Sequence, residues 1–232
     1  LKNTRLRYFA PSLLLLFLLF PAGAQSRYLE EGIGGSSFGM ETRISDGGIY
    51  SLGLTASYSI GGIMDFGFRL ARETGTLEET EKIDWNYSFL YNLIVIKQSD
   101  MVPFSFQLEG AYGYTNVSSH YLDVNNRSQS AQGFHVAGSL YRLFNADGNF
   151  LLLLGGKGKY ENYLLSEFNT ATGLPVLSST QRNEELSWGG VTALSFKIDK
   201  GPLITLQVEV LYNQEAAGYI IEPSLMFISP SF

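Results

Sequence analysis

The 232-residue chain predicts an all-β fold: an antiparallel, up-and-down transmembrane β-barrel of ten strands, with eight strands as the alternative count. Three observations predict it. Long segments alternate apolar and polar residues with a period of two, the mark of strands with two unlike faces. The connections between them alternate between long polar ones and tight ones. No stretch beyond residue 24 approaches the roughly 18 consecutive apolar residues of a membrane helix, and no helix cap is followed by a 3.6-residue period.

The N-terminal residues come first. Lys2, Arg5 and Arg7 precede the unbroken apolar run 13–20, and Pro21-Ala22-Gly23-Ala24-Gln25 carries an A-x-A cleavage site. This is the pattern of a secretory signal peptide, whose apolar core is too short to span a bilayer. Residues 1–24 are expected to be removed, leaving 25–232 as a single barrel domain. Cleavage leaves 13 basic residues against 22 acidic ones, a net charge near −9. That sign argues against nucleic acid as a partner. The chain has no cysteine, which rules out disulfides and thiolate metal sites, and its two histidines, His120 and His135, lack metal-ligand spacing. No cofactor and no metal site are expected.

Alternation places the ten strands near 33–44, 48–60, 63–73, 82–96, 102–116, 131–144, 149–165, 184–198, 202–213 and 219–228. In the second, Tyr50, Leu52, Leu54, Ala56, Tyr58 and Ile60 oppose Ser51, Gly53, Thr55, Ser57 and Ser59. In the fourth, Ile83, Trp85, Tyr87, Phe89, Tyr91, Leu93 and Val95 oppose Asp84, Asn86, Ser88 and Asn92. In the fifth, Phe104, Phe106, Leu108, Tyr112 and Tyr114 oppose Ser105, Gln107, Glu109, Ala111 and Gly113. The eighth and ninth repeat the pattern, with Leu186, Trp188, Leu194 and Phe196, then Ile204, Leu206, Val208, Val210 and Tyr212, on their apolar faces. A soluble sandwich or lipocalin-like barrel would turn this apolar face inward, and a membrane barrel turns it toward lipid. The second face decides. It is rich in Gly, Ser and Ala with scattered charges and amides, which suits a crowded lumen better than a water-facing surface.

The connections agree. Gly61-Gly62 makes a tight hairpin turn. Residues 74–81, 117–130 and 166–183 are long and polar, whereas 97–101, 145–148 and 199–201 are short. Long loops at one end and tight turns at the other is the asymmetry of outer-membrane barrels. Ten strands also bring both termini to the tight-turn end. Two aromatic belts are expected, with Tyr50, Trp85, Tyr112, Tyr114, Tyr160, Trp188 and Tyr212 toward the long loops. Tyr58, Phe104, Phe144, Phe150, Phe196 and Phe227 fall toward the turns.

With its leader, its ten patterned strands and its terminal Phe232, the chain resembles the bacterial outer-membrane β-barrel superfamily of small OmpA- and OmpX-like proteins. The resemblance implies an outer-membrane location, contact with outer-membrane lipid, and Phe232 as the assembly signal read by the barrel-insertion machinery. It implies fold and location, not activity. One feature departs from the pattern. The alternate positions back from Phe232 are Pro230, Ile228, Met226 and Ser224, whereas Tyr219, Ile221, Leu225 and Phe227 form the more apolar face. Pro223 and Pro230 also interrupt the ladder, so a bulge or an early strand end is expected near Pro230.

With the apolar face outward, the lumen should hold Glu41, Arg43, Asp65, Arg69, Glu73, Asp84, Glu109, Lys157, Lys159, Glu161, Lys197, Glu209 and Glu222. Buried charges must be paired or hydrated. The expected arrangement is a structural network that plugs the barrel, with Glu109 needing a basic partner such as Arg69 or Lys157. The same residues would otherwise line a narrow solute path. The expected function is therefore a non-enzymatic membrane barrel, structural or surface-interacting through loops 117–130 and 166–183, whose extracellular ligand is unknown. A small-solute, porin-like diffusion channel is the alternative. A barrel-embedded lipid or peptide hydrolase is a third reading. It would draw on His135 with Ser139, or on His120 with Asp123. The first pair, four apart on one strand, lie roughly 13 Å apart by strand rise.

Overall fold

The computed structural model describes residues 26–45, 50–77, 80–145, 149–198 and 202–231. The expected signal peptide, its cleavage site and Phe232 lie outside the described residues. A short 3-10 turn, Ser26–Tyr28, is followed by β1 (Gly34–Ser45), β2 (Tyr50–Ile60), β3 (Met64–Leu77), β4 (Thr80–Ile96) and β5 (Ser105–Ser119). A single helical turn, α1 (His120–Val124), leads into β6 (Arg127–Asn145), β7 (Phe150–Asn169), β8 (Val176–Lys197), β9 (Leu203–Asn213) and β10 (Gly218–Ser231). Each strand pairs antiparallel with its sequence neighbours, and β1 pairs with β10 to close the barrel.

The alternation turns the large apolar side chains outward. Leu52, Leu54, Phe68, Tyr87, Phe89, Leu108, Val136, Leu140, Leu154, Leu194 and Leu206 are all exposed on the outer surface. Ser51, Ser59, Asp65, Gln107, Ser139, Ser195, Thr205 and Gln207 are buried inside. An exterior of this kind is stable against hydrocarbon, not water. Trp85, Tyr112, Tyr114 and Trp188 are exposed toward the long-hairpin end, and Tyr58, Phe104, Phe144, Phe150 and Phe227 toward the turns. The side chain of Tyr50 lies outside the described residues. The belts are knitted by edge-on ring pairs, Trp188–Tyr212 at 5.8 Å and Tyr212–Tyr219 at 5.5 Å at one end and Phe150–Phe196 at 4.9 Å at the other.

The ends of the strands differ from expectation in an informative way. The polar stretches 74–81, 117–130 and 166–183 are not irregular loops. Half or more of each continues the ladder, and pairing runs up to Leu77↔Thr80, Val117↔Gln129 and Asn169↔Val176. Among the described residues of these stretches, only 120–126, with α1, and the tip 170–175 leave the sheet. These extensions lack an apolar face because water lies on both sides of them, so alternation disappears while pairing continues. The tight turn is as expected: Gly61 and Gly62 both take positive φ, the mirror-image turn that matches strand twist.

The last strand also differs. β10 runs through Pro230 to Ser231 without a shift of register, with Gly35↔Pro230 and Gly34↔Ser231 against β1. Pro223 stays in register opposite Val208 of β9, while the pairs around Thr42, Arg43, Glu222 and Pro223 drop out of the β1 ladder. The missing proline N–H thus falls on the β1 side, where Thr42 Oγ1 donates to the Pro223 carbonyl at 3.5 Å. Register slips occur elsewhere, between Ile94 and Ile96 against β5 and between Glu167 and Phe168 against β8.

Candidate functional site

The lumen is layered. At the turn end it is apolar: Tyr141, Leu153, Val191, Ala193, Leu203, Met226 and Ile228 point inward and pack with Tyr28 and Leu29. Gly155 makes this layer possible, because a Cβ there would stand 2.6 Å from the Cβ of Tyr141. Residues 27–29 are not part of the wall. They enter from the turn end and fill the space inside it.

Arg27 stands above this apolar layer and is 3 % exposed. Its Nε donates to Gln107 Oε1 at 3.0 Å, its Nη1 to Gln207 Oε1 at 3.0 Å, and its Nη2 to Glu109 Oε1 at 2.8 Å. The guanidinium lies 5.1 Å from the centroid of the Tyr141 ring. Tyr28 donates its hydroxyl to Gln207 Oε1 at 2.9 Å. Below, Lys97 reaches the backbone carbonyls of Leu29 and Gly62 and fixes the entering chain to the rim. Burial there holds the Lys97 ammonium below the usual lysine range.

Above Arg27 the expected charges meet. Lys157 Nζ donates to Glu109 Oε2 at 2.6 Å and to Glu209 Oε2 at 2.9 Å. Ser139 donates to Glu109 Oε1 at 3.1 Å and Gln207 to Glu209 Oε1 at 2.8 Å. Strand register explains the reach. Between Glu109 on β5 and Lys157 on β7 lies β6, which offers only Ala137 and Ser139 on its inner face. On the other side Gly189 of β8 leaves room toward Glu209 on β9. The next layer joins Lys159 to Glu161 at 3.1 Å, Arg43 to Glu161 at 3.6 Å and Arg43 to Glu222 at 3.4 Å. Lys159 also lies 4.0 Å from Glu222. These contacts cross the lumen from β1 and β10 to β7.

The remaining expected residues lie apart from this core. Arg69 pairs with Glu41, not Glu109, and donates to Asn86 Oδ1 at 3.1 Å. Asp65, fully buried, accepts from Asn92 at 3.4 Å, and Asp84 pairs with Lys82 at 2.6 Å. Lys197 is exposed at the turn-end rim of β8. His135 lies opposite Glu161 in the ladder, and Ser139 spends its hydroxyl on Glu109. Asp123 is exposed on α1, and the side chain of His120 lies outside the described residues. Arg27 and Tyr28 were missed by sequence reasoning. They follow the expected signal peptide at once and belong to no periodic segment. The one available hint was that inner-face acids outnumber inner-face bases, which calls for a further cation.

The sequence matches no family model and no curated protein. Among solved structures, the translocator domain of the autotransporter NalP from Neisseria meningitidis superposes with a TM-score of 0.51 at 9 % identity, covering 88 % of this chain and 90 % of that one. The fold is that of an outer-membrane β-barrel. Further matched barrels share less of their geometry. Ail, the attachment invasion locus protein of Yersinia pestis, has a TM-score of 0.36 at 10 % identity over 87 % of this chain and all of that one. Neisserial surface protein A has a TM-score of 0.34 at 10 % identity over 85 % and 94 %. Identities this low speak for the barrel architecture alone.

The barrel also carries an outer wall. Strands β3 to β8 continue above the aromatic belt, whereas β9, β10, β1 and β2 stop near it. The mouth is therefore cut obliquely, high on one side and low on the other. The tip of the β7–β8 hairpin exposes Leu174, Val176 and Leu177.

Proposed function

We propose that the chain is a closed outer-membrane barrel, exported by its N-terminal signal, that acts through its extracellular wall and not by conducting solutes or by catalysis. The observation that supports this reading is the filling of the lumen. Arg27, Tyr28 and Leu29 occupy the turn-end half, and above them Glu109, Lys157 and Glu209 are tied to one another. A water-filled path needs charges that face water, and these face each other. On this reading outer-membrane lipid surrounds the aliphatic band, and the last strand with Phe232 engages the barrel-assembly machinery. Single-channel recording of the refolded chain in a planar bilayer tests the closed lumen: discrete conductance steps would refute it. Fractionation with heat-dependent gel mobility tests the placement, which a soluble product of unchanged mobility would refute.

A further inference from the structure

The mouth of the lumen holds more acid than base. With histidine neutral, the cations Arg43, Arg69, Lys82 and Lys159 face the carboxylates of Glu41, Glu73, Asp84, Glu161, Glu185 and Glu222. Ion pairs join Arg69 to Glu41, Lys82 to Asp84, Arg43 and Lys159 to Glu161, and Arg43 to Glu222. Among the described residues Glu73 and Glu185 make no such contact, although both lie within electrostatic reach of Arg43. Both are half-buried, so water reaches them from the mouth.

Strand register sets these two carboxylates against each other. β3 and β8 are five places apart in a closed ring of ten. Followed one way along the ladder, Glu73 leads through Ser51 and Arg43 to Glu222, Glu209 and Val191. Followed the other way, it leads through Asp84, Val117, Gln129 and Glu167 to Ser179. Glu185 is midway between Ser179 and Val191 on β8, which places it opposite Glu73 at the same height. Ten strands about 4.8 Å apart and tilted by about 40° make a ring roughly 20 Å across, so side chains reaching in from both walls leave roughly 10 Å between the carboxylates.

Glu185 is already oriented. Tyr163 donates to its Oε1 at 3.0 Å and Asn213 Nδ2 to its Oε2 at 2.8 Å, both neutral donors. Below it on the same inner face stands Ser187, 1 % exposed, whose hydroxyl has no hydrogen-bond partner among the described residues. Ser187 lies between Lys159 and Asn213 in the ladder. A buried polar group left without a partner is rare and costly. Its place under Glu185 suits a ligand that donates to both oxygens at once.

We infer that the mouth binds a short linear diamine, one ammonium held by Glu185 and Ser187 and the other by Glu73. An ammonium carries three donors, enough for a carboxylate and a hydroxyl together. Two positive charges match the two unpaired carboxylates, and the aliphatic link passes the Arg43 guanidinium without a charge of its own. A monoamine meets one end only. A divalent metal ion does not fit, because among the described residues no three acids or histidines come together as ligands. The site lies above the filled part of the lumen, so binding requires no conduction.

The test is titration calorimetry on the full mature chain refolded in non-ionic detergent micelles, with empty micelles as the blank. The probe is 1,4-diaminobutane, with 1-aminobutane as its singly charged counterpart. The diamine should saturate at one per chain and bind about tenfold tighter than the monoamine. Glu73→Gln and Glu185→Gln should each remove that advantage, and Ser187→Ala should weaken the diamine about threefold. All three should keep heat-dependent mobility. Ser187→Ala breaks no existing hydrogen bond, so it reads the site even where a glutamine variant fails to fold. Glu81→Gln, which alters an exposed acid on the outer face of the wall, should change nothing. Heat no greater than with empty micelles, equal binding of the monoamine, or an advantage retained in Glu185→Gln would overturn the inference. Displacement of the diamine by an equal concentration of magnesium ion would overturn it in favour of a diffuse attraction for cations.

Discussion

Glu109 is the residue on which most of the lumen converges. It accepts from Arg27, Lys157 and Ser139, and all of these side chains are nearly buried. Breaking a buried pair by removing one charge typically costs about 3–5 kcal/mol, because the partner is left uncompensated. Glu109→Gln should therefore lower the unfolding free energy by about 3 kcal/mol, read from the urea midpoint of the tryptophan signal in lipid vesicles. Arg27→Ala should cost less, about 1.5–3 kcal/mol, because Glu109 keeps Lys157 and the entering segment can be replaced by water. A larger loss in Arg27→Ala than in Glu109→Gln would contradict this order. The inner position of Glu109 was legible in its alternating segment. One of its two basic partners was legible as well, since Lys157 was a candidate, but the choice over Arg69 required register. Arg69 lies in the ladder beside Thr55 and Ser88 and meets Glu41 first.

At the scale of the element, period two reports only where two faces meet different media. It marks the outward aliphatics of β2, β4, β5, β8 and β9 because lipid and lumen differ. It is silent in 166–183, where both faces meet water, and in residues 151–154 of β7, where Leu lies on both faces. The inward Leu153, fully buried, is part of the apolar lower lumen that alternation alone could not announce. Close packing across that layer depends on glycine at a specific wall position. A Cβ at Gly155 would lie 2.5 Å from the Leu140 carbonyl oxygen as well as against Tyr141. Gly155→Val should force β6 and β7 apart at the Tyr141 pair and cost about 1–3 kcal/mol, the usual range for overpacking. Gly158, also on β7, faces outward with nothing within 4 Å of an added Cβ. Gly158→Val should leave the urea midpoint within about 0.5 kcal/mol of wild type, as surface changes usually do. Equal losses in the two variants would show that strand propensity, and not lumen packing, governs β7.

The described residues divide into a shaft with a layered lumen and an oblique wall, and the two make separable demands on the sequence. The shaft is held by the closed ladder, by the belts and by the layered lumen from Tyr28 up to Glu222. The wall is held by backbone pairing of β7 with β6 and β8, with few buried side chains above the Tyr163–Glu185 hydrogen bond of 3.0 Å. A ladder exposed to water on both faces contributes little to global stability, since its gain is offset by chain entropy. Trimming the hairpin above the Leu164↔Arg182 pair, and closing it with an Asn-Gly turn suited to a two-residue hairpin, removes the wall's highest part without touching the shaft. The trimmed chain should fold, keep its heat-dependent gel mobility, and unfold within about 1 kcal/mol of the full chain. If instead it fails to refold, the long ladder of β7 and β8 is needed to nucleate the barrel, and the wall is a folding element. Long-range pairing makes that outcome measurable as a rate: a slower refolding phase with an unchanged urea midpoint would assign the hairpin to the transition state.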